Sequence, residues 1–171
     1  MPPLPDVPAI LETLVRQKVM FVVIGGVAVA HHGYVRATAD VDVVPEPGEE
    51  QLRRLWGALQ EMDAEPLAVG DLRPEELPAP LDLEGLLGGG NRDLATRFGR
   101  LDILQHVVGK LETREDFDGL ARRAEAAHFD FGTVLVAGYD DLIDFKNLAG
   151  RDQDLIDIRA LREARGDIGP G

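Results

Sequence analysis

Residues 37–47, ATADVDVVPEP, set two acids, Asp40 and Asp42, in alternation with Val41 and Val43. In a strand, residues two apart share a face, so the valines turn toward a core while both carboxylates project from the other side. Carboxylates are costly to desolvate, and two side by side repel each other unless a cation or a shared proton intervenes. Mg²⁺ suits such a pair, being a hard ion held by a few carboxylates together with substrate phosphates. Phosphoryl-transfer sites commonly hold two such ions.

Other readings of the same stretch are weaker. A calcium-binding EF-hand requires Asp-x-Asp-x-Asp-Gly, and here Val44 and Pro45 fill the last two positions. An aspartic-protease dyad draws its carboxylates from separate segments. A Rossmann nucleotide fold fits the order strand, glycines, helix, but GGVAVA (25–30) lacks G-x-G-x-x-G. A solvated edge strand showing its acids to water is the plain alternative.

The surroundings favour a functional site. Gly25-Gly26 ends an apolar run just before a helical stretch, a turn that permits close backbone approach and offers amides to a phosphate. A third acid, Asp102, lies between Leu101 and Ile103 in the same acid-between-aliphatics pattern.

The whole chain has 171 residues, 44% of them hydrophobic and 5% aromatic, enough for one domain with an aliphatic core. Cysteine is absent, which excludes disulfides, thiolate zinc sites and a Cys nucleophile. A net charge of −13 argues against a broad, sequence-independent grip on nucleic acid, though not against a local basic channel. The start, MPPLPDVPAILETLV, lacks a signal peptide's basic opening and unbroken apolar run. The longest apolar segment, VMFVVIGGVAVA (19–30), is too short to cross a bilayer, so a cytoplasmic protein without membrane contact is expected.

Hydrophobic spacing predicts mixed elements. A first helix starts at Asp6 and Pro8 with Ile10, Leu11, Leu14 and Val15 on one face; VMFVVI (19–24) is a buried strand. VAVAHHG (27–33) is a short helix, TADVDVV (38–44) a second strand, and GEEQLRRLWGALQEM (48–62) a helix with Leu52, Leu55, Trp56 and Leu59 inward. The stretch from Val69 to Asn91 has three prolines and a glycine triplet and reads as loop with short helical turns. RDLATRF and RLDILQHV are paired strands joined at Gly99-Arg100, residues 114–127 a helix, HFDFGTVLVAG (128–138) a short hairpin. Two helices separated near Gly150-Arg151 close the chain. Mixed strands and helices point to α+β or α/β, with a helical C-terminal end.

Three blocks, IGGVAVAHHGYVRATADVDVV (24–44), RLDILQ (100–105) and DDLIDFKNLAGRDQDLIDIRAL (140–161), together resemble the polymerase-β-type nucleotidyltransferase superfamily. More narrowly they are similar to the abortive-infection, AbiEii-like nucleotidyltransferase toxins, whose pattern runs hydrophobic-GG…HG…R-x-T-x-D-[IV]-D and later D-L-I-x-x-K-x-x-A-G-R-x-x-D-L-x-D. Leu67 to Asn91 is left unmatched. The resemblance implies a minimal nucleotidyltransferase fold of the α+β class, a mixed β-sheet flanked by helices, with residues 1–138 as core and 139–171 as a C-terminal helical extension packed on it. It also implies Mg²⁺-dependent transfer of a nucleoside monophosphate from an NTP to an acceptor hydroxyl. Asp40, Asp42 and Asp102 would hold two ions and help activate the acceptor. Gly25 and Gly26 would border the triphosphate, Arg36 and Thr38 would contact phosphate or fix the turn, and Lys146 and Arg151 would contact phosphate or base.

Plain readings stand beside these. Arg36 and Arg151 also have many acids to pair with, Thr38 suits a strand start, and Lys146 sits on a mostly apolar helix. His31 and His32 lack a partner histidine at metal spacing and read as helix-surface or pocket-wall residues; Arg159, Arg162 and Arg165 read as a solvated face. Two departures from the family pattern are visible: Val27 stands where many members carry Ser, and the large helical C-terminal region of the longer toxins has no counterpart in these residues. The acceptor implied by the resemblance is a tRNA 3′ end, with a protein or a small molecule such as an aminoglycoside as alternatives, and a cognate antitoxin as possible partner. A nucleotide- or partner-binding component without turnover is the competing class of function.

Overall fold

Phe21–Ile24 is apolar throughout and forms strand β1 with all four residues buried. In the computed structural model, which describes residues 3–67, 76 and 80–167, this strand lies near the middle of a seven-stranded mixed sheet. The other strands are β2 (Asp40–Pro45), β3 (Glu65–Pro66), β4 (Arg92–Thr96), β5 (Gly99–Ile103), β6 (Glu125–Phe129) and β7 (Gly132–Val136), in the order β3-β4-β5-β2-β1-β7-β6. β2 runs antiparallel to β1 but parallel to β5, and β1 runs parallel to β7. The β4–β5 and β6–β7 pairs are antiparallel hairpins.

The helices are α1 (Val7–Arg16), α2 (Gly25–His31), α3 (Glu49–Glu61), α4 (Leu83–Leu87), α5 (Arg114–Arg123), α6 (Tyr139–Ala149) and α7 (Asp152–Arg165). Asp6 caps α1 by accepting from the Ala9 amide, with Pro8 in the first turn, as its sequence predicts. Side-chain alternation along the strands divides the core in two. Val23, Val41, Val43, Leu101 and Ile103 pack with Ile10 and Leu14 of α1 and Leu55 and Leu59 of α3. Val22, Ile24 and Val44 pack with Phe117 and Leu120 of α5 and Phe145 of α6. Val41 and Val43 are thus fully buried, as expected of the valines between the two acids. Trp56 is partly buried and packs against the first cluster.

The differences from expectation have local causes. The helix expected over 114–127 stops at Arg123, because Glu125 to Phe129 pair with β7 along the full hairpin. Cross-strand pairing overrides the helix preference of Ala126 and Ala127. The helix expected from Val27 begins two residues earlier, at Gly25. β3 is a two-residue edge strand against β4 that no run of β-branched residues announced. Much of the expected loop between Val69 and Asn91 lies outside the described residues; within it, α4 is capped by Asp82. Among the described residues, no helix is long and apolar enough to cross a membrane.

Candidate active site

Parallel pairing of β2 with β5 sets Asp42 opposite Asp102 and Asp40 opposite Arg100. Since i and i+2 share a face, all three carboxylates meet on one side of the sheet. One oxygen from each of Asp40, Asp42 and Asp102 lies within 4.8 Å of the other two. Burial, reinforced by the charges of Asp40 and Asp102, pushes the Asp42 carboxyl up to about 7. Burial and the charge of Asp93 push Asp102 up to about 7, against the opposing pull of Arg100. Three carboxylates held this close form an all-oxygen donor set with unbalanced charge, which fits a hard divalent cation.

The glycine pair lets the start of α2 press against this strand. Gly25 has φ +68°, and a Cβ there would fall inside the Asp42 carboxylate. At Gly26 a Cβ would lie 2.5 Å from Thr38 Oγ1. Thr38 itself donates to the Asp40 carbonyl at 2.9 Å, fixing the entry to β2.

The three cations singled out in the sequence are all engaged by carboxylates. Arg36 donates from Nε and Nη2 to the two Asp157 oxygens at 2.8 and 2.7 Å. Lys146, 5% exposed, sits 2.9 Å from Asp154 and 2.7 Å from Asp157. Arg151 donates from Nε to Asp154 at 2.8 Å, but its side chain is 76% exposed. Gly150, at φ +62°, turns the chain between α6 and α7 so that Lys146 meets Asp154 and Asp157. Burial opposes ionisation of Asp157, yet hydrogen bonds from Arg36, Lys146 and Gln153 win and hold it down at about 2. This network ties the loop before β2 to both C-terminal helices.

Beside the triad lies a cavity of about 190 Å³. Leu104, Leu142 and Phe145 give it an apolar wall, while Gly25, Asp42 and Arg151 stand at its polar side. A second, larger cavity of about 590 Å³ is lined by Ala39, Ala95 and Arg100 together with Leu4, Leu67 and Phe98. His31 and His32 are elsewhere engaged: both approach Glu125, and His32 Nε2 donates to the Ala137 carbonyl at 2.7 Å.

Sequence reasoning missed four participants. Asp154 and Asp157 lay inside the quoted C-terminal block, at the spacing of three that places them on one helix face. Arg100 precedes Asp102 by two, so strand periodicity puts it on the same face. Asp93 carried no local signal; only the β4–β5 register places it opposite Asp102.

This architecture is the nucleotidyltransferase fold, a mixed sheet carrying an acidic triad and flanked by helices. The chain is similar to the lincosamide antibiotic adenylyltransferase LnuA, solved with lincomycin bound, at a TM-score of 0.60 and 15% identity over 92% of this chain and 95% of that one. It is similar to ANT(2″)-Ia in complex with adenylyl-2″-tobramycin at a TM-score of 0.56 and 13% identity, covering 94% and 88%. An antigenic nucleotidyltransferase-like protein from Paracoccidioides brasiliensis gives a TM-score of 0.53 and 13% identity, covering 99% and 81%. No protein-family model matches the sequence, and no curated protein matches it.

Proposed function

We propose that this chain is a Mg²⁺-dependent nucleotidyltransferase. It moves a nucleoside monophosphate from an NTP to a hydroxyl of a small polar acceptor and releases pyrophosphate. The observation that carries this reading is the triad itself: three strand-borne carboxylates with oxygens within 4.8 Å, at the rim of a cavity, in a nucleotidyltransferase fold.

Residues 1–138 form the catalytic core, and 139–171 the extension that closes the nucleotide cavity. Asp40, Asp42 and Asp102 hold the ions, which when bound supply positive charge to the phosphate undergoing transfer. Asp102, the most buried of the three, also helps remove the acceptor proton. The acceptor oxygen forms a bond to the α-phosphorus as the bond to pyrophosphate breaks. Gly25 and Gly26 let the backbone approach the triphosphate. Thr38 and Arg36 hold β2 in place, Arg151 swings toward phosphate, and Lys146 keeps Asp154 charged and oriented when Arg151 leaves it. Leu104 and Phe145 flank the nucleoside.

A small acceptor fits the net charge of −13 and the acceptors seen with LnuA and ANT(2″)-Ia. The 140–161 block, with its resemblance to the AbiEii-like toxins, makes a tRNA 3′ end the second acceptor to test, with growth arrest and a cognate antitoxin as its corollaries. The setting is the cytoplasm, where NTPs and Mg²⁺ are abundant.

Incubating the protein with each α-labelled NTP, Mg²⁺ and, separately, an aminoglycoside and lincosamide panel, total tRNA and a protein extract tests donor and acceptor together. Label transferred by wild type and lost in Asp40→Ala supports the reading, and the labelled fraction identifies the acceptor. No label in any fraction with any NTP sinks it. NTP binding without transfer, weakened in Asp42→Ala, would instead mark a binding component without turnover.

A further inference from the structure

Arg100 is the charged neighbour of the triad that the preceding mechanism does not use. Its Nε lies 3.2 Å from Asp102 Oδ1 and 3.8 Å from Asp40 Oδ2, so one guanidinium faces two of the three carboxylates. Its Nη2 lies 3.5 Å from Asp93 Oδ2, on the strand beyond. Asp93 stands directly opposite Asp102 in the β4–β5 register. Among the described residues it has no other ion-pair partner. The Arg100 side chain is 42% exposed and borders the larger cavity, so space for rotation adjoins it.

We infer that Arg100 is the resident counter-ion of the triad, competing with divalent cations for Asp40 and Asp102, and that Asp93 is the anchor to which it withdraws when an ion binds. The inference rests on the metal-site part of the proposed function. Without a cation among them, Asp40, Asp42 and Asp102 repel one another, and Arg100 offsets part of that repulsion. A divalent ion on the same oxygens repels the guanidinium at this range. Withdrawal needs only side-chain rotation, because Asp93 is already within reach. The nucleotide-free protein therefore holds metal loosely, and the phosphates of an arriving nucleotide tip the competition toward the ion. Arg100 and Asp93 act as positioning residues through the triad, not on substrate.

The test is Mn²⁺ titration without nucleotide, followed by electron paramagnetic resonance of the free ion. The variants are Arg100→Met, Asp93→Asn, the double variant and Asp42→Asn, each checked for folding by circular dichroism. Arg100→Met should bind Mn²⁺ about tenfold tighter than wild type, a difference well within what one charge contributes. Asp93→Asn should bind about threefold weaker, on the expectation that losing an exposed anchor shifts the balance modestly. The double variant should match Arg100→Met. Folded Arg100→Met that binds no tighter than wild type overturns the competition. Unchanged affinity in Asp93→Asn overturns the anchor, and this exposed substitution still reports if Arg100→Met does not fold. Saturable wild-type binding that Asp42→Asn abolishes, with no response to either change, removes this inference and leaves the metal site standing. No saturable binding by any variant removes both.

Discussion

Lys146 Nζ lies 2.7 Å from Asp157 Oδ2 at a point where Asp157 is completely buried and Lys146 is 5% exposed. The same ammonium reaches Asp154, itself 1% exposed, at 2.9 Å. Two helices are thereby joined by one cation, and Asp157 passes the connection to Arg36. Removing one partner of a buried pair leaves an uncompensated charge, which costs about 3–5 kcal/mol. Lys146→Met should therefore lose stability of that order in urea titrations, well beyond the loss of a surface charge. A change under about 1 kcal/mol would show that Arg36 and Arg151 suffice for the two aspartates.

Arg151 should behave differently. It shares Asp154 with Lys146 and is largely exposed, so Arg151→Ala leaves no orphaned carboxylate. Its stability should change by about 1 kcal/mol or less. If Arg151 is the phosphate contact, the KM for NTP should rise about tenfold or more, the scale of a lost charge-assisted hydrogen bond. Steady-state kinetics against NTP concentration checks this, and an unchanged KM would return Arg151 to a purely structural role.

The acid limb of stability follows from Asp157. Its pKa in the folded protein is about 2, below its ordinary value of 3.8. A carboxyl depressed on folding stabilises the native state above the unfolded pKa, and that contribution is lost as pH falls through the folded one. Stability should fall between about pH 4 and pH 2. In Asp157→Asn that part of the slope should flatten, even though the variant is less stable at neutral pH. Urea midpoints measured across this range decide it.

Asp42 has the opposite sign. Its folded pKa is about 7 against an ordinary 3.8, so the native state binds the extra proton between those values. Metal-free stability should therefore decline as pH rises from about 4 through 7. In EDTA at pH 8, Asp42→Asn should be more stable than wild type by at most a few kcal/mol, and should melt higher. The gain should vanish at acid pH, and nucleotidyl transfer should be lost. Thermal melts at the two pH values, with and without chelator, separate these effects.

A methyl group at Gly25 meets two obstacles, the left-handed backbone and the Asp42 carboxylate. Gly90, at φ +97° with open space around it, meets only the first. Gly25→Ala should thus cost more than Gly90→Ala, whose backbone strain is on the order of 1–2 kcal/mol. It should also disturb Mn²⁺ binding, which Gly90→Ala should leave unchanged. Equal costs, with metal binding intact in both, would mean that Asp42 yields freely.

Most of this architecture could be read from the chain because its signals were local. Alternating Asp and Val gave a one-sided acidic strand, and the glycine pair marked a close approach. Asp102 repeated the acid-between-aliphatics pattern. Prediction failed where distance decided. Residues 125–127 include two alanines that suit a helix, but β7 captures them as strand. Asp93 joins the site only through the register of a hairpin. The C-terminal block singled out Lys146 and Arg151 as candidate phosphate or base contacts. What the block could not reveal is that Asp154 and Asp157, among its own residues, are where those cations go.

The parallel union of β2 with β5, and the 121-residue span from Arg36 to Asp157, bear on how the protein comes into being. During synthesis, β2 leaves the ribosome long before either the strand that completes its carboxylates or the helix that restrains its entry. Such distant contacts close late and slowly. A chain halted at Ile103 carries all three acids yet lacks the aspartate that anchors Arg36. Until Asp157 has been made, the loop that leads into β2 therefore stays without its carboxylate tether.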